Sequence, residues 1–114
     1  MVNRIVTGAH YGMRDWLAQR ITGAIMAVYS LILAVVFFTG APLTYGVWRD
    51  LFSNGWMRVG TLLFALCLAW HAWVGMRDIL MDYIKPTALR LALETGVILL
   101  LLVYMGWTVQ VLWR

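Results

Sequence analysis

One histidine, His71, lies in a run that holds no Asp, Glu, Lys or Arg between Arg58 and Arg77. An imidazole at hydrocarbon depth is costly, and it is kept where it hydrogen-bonds another helix or serves a function. A neutral imidazole can also bind a metal through either nitrogen. Read as a helix, residues 59–76 place His71 five residues before Met76, about 7–8 Å inside the nearer end of the span. Gly60, Phe64, Cys67, Gly75 and Asp78 recur at helical spacing on its face. Three of these are small. Such a strip suits a flat macrocycle whose iron the imidazole reaches, and it equally suits close packing of a second helix.

Other polar residues cluster toward the same end. Arg20 heads a slim face of Ala24, Ala27, Leu31 and Ala34. A guanidinium there can meet carboxylates, such as the propionates of a haem, or serve as a topological anchor. Asp82 and Tyr83 adjoin just past the second apolar run. A phenol can donate to a carbonyl and a neighbouring carboxylate can orient a partner or pass a proton; an interfacial Tyr in a polar connector is the plainer reading.

The elements that must position these groups are membrane helices. Of 114 residues, 63% are hydrophobic and 12% charged, about half the charged share of a soluble domain. Three uncharged stretches stand out, at 21–40, 59–76 and 95–113, each near the length that crosses a bilayer. Pro42 closes the first stretch. Pro86, in a first helical turn, and the helix formers after it extend the third toward the N-terminus, so that the spans are expected near 21–40, 59–76 and 91–113 of a single all-α membrane domain. Between the first two, Thr44 can cap a short helix carrying Tyr45, Trp48 and Phe52 at the interface.

Charge sets the orientation. Arg4, Arg14, Arg20, Arg77, Lys85 and Arg90 fall on one side, against Arg49, Arg58 and Arg114 on the other, which predicts a cytoplasmic N-terminus and an outer C-terminus. The net charge of +4 comes from cations at span ends, not from a basic patch, and so argues against nucleic acid. Trp16, Trp48, Trp56, Trp107 and Trp113 lie near span ends, as an aromatic belt does. Cys67 alone can hold no iron–sulfur cluster, no phosphate loop is present, and no signal-peptide pattern is expected at the N-terminus. A low-spin haem needs two axial ligands. His10, on the polar segment ahead of the first span, is a poor second one, so haem binding would need another chain. A small transporter or structural helix-bundle membrane protein is the reading from another class, and ion coupling would call for an acidic residue deep in a span; Asp78 and Glu94 both lie at span ends.

The residues His71-Ala-Trp-Val-Gly75-Met and Asp82-Tyr83-Ile-Lys-Pro86-Thr-Ala-Leu-Arg90-Leu, with Arg14-Asp15-Trp16 through Arg20 and Leu43-Thr-Tyr-Gly-Val-Trp48, resemble the small hydrophobic haem-b membrane-anchor subunit of bacterial succinate dehydrogenase. The likeness covers nearly the whole chain. It implies a three-helix part of a larger heterodimeric anchor bundle in the bacterial inner membrane, non-catalytic alone. His71 would be one axial ligand of haem b, with the other from a second, C-type anchor subunit. Arg20 would approach a haem propionate. Tyr83 would hydrogen-bond ubiquinone beside Asp82. Arg14 and Asp15 would lie near the quinone pocket and its proton supply, Arg14 standing where relatives commonly have His. A flavoprotein and an iron–sulfur protein would dock on the anchor. A quinol:fumarate reductase anchor is the rival within this class.

Overall fold

The computed structural model describes residues 7–40 and 42–114, with side chains from residue 12 onward. It forms four helices: α1 Thr7–Thr39, α2 Tyr45–Ser53, α3 Gly55–Tyr83 and α4 Thr87–Leu112. Among the described residues there is no strand. Three helices, over Gly12–Thr39, Gly55–Tyr83 and Thr87–Leu112, are long and apolar enough to cross a membrane.

The first helix begins well before Ile21, where the apolar stretch was expected to start it. α1 has 33 residues and is therefore about 50 Å long, against a hydrocarbon core of about 30 Å. Its early turns are polar but not helix-breaking, and an ion pair between Asp15 and Arg77 ties them to α3. His10 thus lies on α1; its side chain, like the whole of Arg4, falls outside the described residues.

The short helix after Pro42 forms with Thr44 as its N-cap, whose hydroxyl accepts from Val47 N at 3.3 Å. Trp48 and Phe52 stack along it with ring centroids 5.7 Å apart. Asn54 ends α2 and starts α3, its side chain accepting from Trp56 N at 2.9 Å. Arg58 Nε donates to Phe52 O at 3.0 Å and so braces the corner. Pro86 stands at the N-cap of α4, one residue outside the helical turn expected to contain it, and its carbonyl accepts from Arg90 N at 3.0 Å. Having no N–H, proline leaves no orphan donor at this helix start.

α3 is the central element, and α1, α2 and α4 each pack on it. Burial is sparse. Among the described residues only Thr22, Tyr29, Cys67, Val74, Leu80 and Leu112 are buried, while large apolar side chains are exposed along all three long helices. In water this surface would drive aggregation; in lipid it is the solvent-facing side, or the side that meets another membrane chain.

Polar pairs set the register of α1 on α3. Asp15, Thr22 and Tyr29 are seven residues apart, two helical turns each, so they share one stripe of α1. They meet Arg77, His71 and Thr61 in reverse order, as antiparallel helices require. The Tyr29 hydroxyl donates to Thr61 Oγ1 at 2.6 Å, because the single Thr61 proton is given to Met57 O at 2.7 Å. The Tyr29 ring also stacks on Phe64, with centroids 4.6 Å apart. Tyr29→Phe keeps the stack and loses the bond, so thermal denaturation of the detergent-purified protein should show a loss of about 0.6–1.7 kcal/mol, the range of interhelical membrane hydrogen bonds. A melting curve equal to the parent's would mean that the pair contributes nothing.

Candidate functional site

The strip around His71 is occupied by α1. Gly60 faces the Tyr29 ring, Gly75 faces the Gln19 amide and Phe64 stacks on Tyr29. Of the two uses such a strip allows, the structure takes helix packing. Where α1 covers the strip a flat ligand does not lie along it, and among the described residues His71 is reached through a groove at the side.

That side is open. A groove of about 590 Å³ is lined by Gly12, Asp15, Trp16, Gln19, Arg20, His71, Val74 and Asp78. It lies where the polar early turns of α1 meet the last third of α3. The His71 ring stands at its inner end, half-buried, with Cε1 beside Gly23, a residue with no side chain to crowd it. His71 Nδ1 is 3.1 Å from the Thr22 hydroxyl. The hydrogen bond to a neighbouring helix is thus made, and it uses one nitrogen. Nε2 has no hydrogen-bond partner among the described residues.

The charged groups divide between anchoring and exposure. Asp15 pairs with Arg77, whose other neighbour is Asp78 at 3.7 Å. Arg20 is exposed, with its guanidinium carbon 5.4 Å from the Trp16 ring centroid, a cation–π contact that leaves the donors free. Gln19 also lines the groove, and its Oε1 is buried with no partner among the described residues.

The structure brings Asp15, Arg20 and His71 to one groove. It does not bring Asp82 and Tyr83 there. Both are exposed at the C-terminal end of α3, Tyr83 at 79%. Arg14 is exposed on α1 and does not line the groove. Sequence reasoning misses Thr22, Gln19 and the pairing of Asp15 with Arg77. The seven-residue spacing of Asp15, Thr22 and Tyr29 is the signal that could have found the first and last.

These residues fit an iron porphyrin. Among the described residues no three His, Cys, Asp or Glu side chains converge on a metal position, so a metal held by His71 would take its other ligands from a bound group or from another chain. A porphyrin supplies four nitrogens of its own. It needs an imidazole nitrogen with a free lone pair and a cation for its propionates; the groove is lined by His71, whose Nε2 has no hydrogen-bond partner among the described residues, and by Arg20.

Three apolar helices with one side-opening polar groove define a multi-pass membrane helix bundle. Residues 3–109 match the family described as succinate dehydrogenase/fumarate reductase transmembrane subunit. A succinate dehydrogenase hydrophobic membrane anchor subunit from Coxiella burnetii (strain RSA 493 / Nine Mile phase I) is 42% identical over 102 residues, covering 90% of this chain and 89% of the relative. The chain belongs to this family of membrane anchor subunits.

Proposed function

We propose that this anchor contributes His71 as one axial ligand of a haem b shared with a second anchor subunit, and Tyr83 with Asp82 to a ubiquinone-reduction site. The observation that carries the reading is the His71 ring itself. One nitrogen is bonded to Thr22, the other has no hydrogen-bond partner among the described residues, and the residue lines a groove that Arg20 also lines. Haem b, when bound, supplies a one-electron centre inside the bilayer.

The remaining roles follow from position. Arg20 offers a planar fork of donors to carboxylates and stays charged at any physiological pH. Tyr83 projects from the last residue of α3, where its exposed hydroxyl can donate to a quinone carbonyl once partner chains enclose it. Asp82, also exposed, stands beside it. Asp15 is oriented by Arg77 beside the groove, where a carboxylate can accept a proton and pass it on, and Arg14 adds positive charge on the same polar turns. The polar ends bearing Arg14, Arg20, Arg77 and Lys85 face the cytoplasm of a bacterial inner membrane, the side on which a flavoprotein and an iron–sulfur protein dock. Succinate is oxidised on the flavoprotein and electrons reach the quinone through clusters. The Coxiella relative is named for succinate dehydrogenase, which favours that direction over fumarate reduction.

Isolation of the intact complex through a tag on this chain tests the proposal. Flavoprotein, iron–sulfur and second anchor subunits should co-purify, and the reduced-minus-oxidised spectrum should show one haem b per complex. A haem-free preparation rejects the ligand role, and the chain purifying alone rejects the docking role.

A further inference from the structure

We propose that Thr22 is a positioning residue that fixes the tautomer and ring orientation of His71, presenting the Nε2 lone pair to iron; the inference rests on the haem reading above. A threonine hydroxyl has one proton and two lone pairs. Thr22 Oγ1 lies 2.6 Å from Ala18 O and 3.3 Å from Gln19 O, and a carbonyl oxygen can only accept. The proton is therefore given to Ala18 O. Toward His71 Nδ1, at 3.1 Å, the hydroxyl oxygen can then only accept. His71 must carry its proton on Nδ1, and a neutral imidazole protonated there has its lone pair on Nε2.

The arrangement is rigid for a reason found within this chain. Thr22 is buried, at 8% exposure, and its hydroxyl is bonded back to its own helix. Two turns to either side, Asp15–Arg77 and Tyr29–Thr61 hold α1 in register, so the acceptor cannot slide away from the ring. An acceptor on the far nitrogen makes the imidazole a stronger donor to the metal and restrains its rotation, the usual role of a hydrogen-bond partner behind a metal-binding histidine. A stronger donor favours ferric over ferrous iron.

The test compares purified complexes of the parent, Thr22→Val and Thr22→Ser by haem content, redox titration and electron paramagnetic resonance of the ferric haem. Valine fills the same space without an acceptor. It should weaken haem retention by about 10–100-fold, as loss of such a partner does, raise the haem midpoint potential and shift or broaden the low-spin resonance. Serine keeps the hydroxyl and should restore all three. If the valine complex does not assemble, Thr22→Cys, a poor acceptor of similar size, should shift the potential upward in the same way. Parent-like potential and resonance in a haem-loaded valine or cysteine variant overturn the inference and leave the ligand role of His71 standing. A parent complex without haem overturns both.

Discussion

His71→Ala should abolish the low-spin haem b signature of the purified complex. Alanine offers no donor atom, so under the proposed ligation one of two axial bonds would be lost and the iron would become high-spin or the haem would leave. The loss of affinity should exceed the roughly 10–100-fold that follows removal of a supporting partner behind a ligand. The fold should survive, because Thr22 still donates to Ala18 O and the Asp15–Arg77 and Tyr29–Thr61 pairs are untouched. Reduced-minus-oxidised spectra and a thermal melt on one preparation separate these effects. An unchanged low-spin spectrum would remove His71 from the iron. Loss of haem together with collapse of the melt would mean that the residue acts through packing.

Tyr83→Phe should cut succinate:quinone reductase activity by on the order of 10–100-fold, the worth of a hydrogen bond to a group that gains charge as it reacts. Oxidation of succinate by an artificial acceptor should be unchanged, since those electrons leave before the quinone. The variant is clean because Tyr83 is 79% exposed at the end of α3 and makes no hydrogen bond within the described residues, so nothing in this chain's packing depends on its hydroxyl. An equal fall in both assays would point to a defect in assembly, and parent-like quinone reduction would detach Tyr83 from the site.

Much of the candidate site is legible as residue types at fixed places. His71 is conspicuous because an imidazole stands alone among apolar neighbours, and Arg20 because it begins the uncharged stretch that follows it. The role of the small-residue strip is not legible. Gly60, Phe64, Cys67 and Gly75 serve a porphyrin or a helix equally well by volume, and the choice falls to the helix because Tyr29 lies against Gly60 and Phe64 and Gln19 against Gly75. The early turns of α1 escape a reading of apolar runs for a different reason. Their helicity is supported by a contact with Arg77, sixty-two positions away in the chain.

The amino-acid order alone determines the three apolar spans, their helical state and the all-α class, because a backbone in hydrocarbon must satisfy its own hydrogen bonds and each span does so locally. It also determines which side chains are too polar to face lipid without a reason. The rotation and register of α1 against α3 belong to the tertiary structure. Apolar faces slide past one another at little cost, and among the described residues the pairings Asp15–Arg77, Thr22–His71 and Tyr29–Thr61, each joining residues distant in the chain, choose one alignment. That alignment opens the groove beside His71 and decides which of its two nitrogens is free.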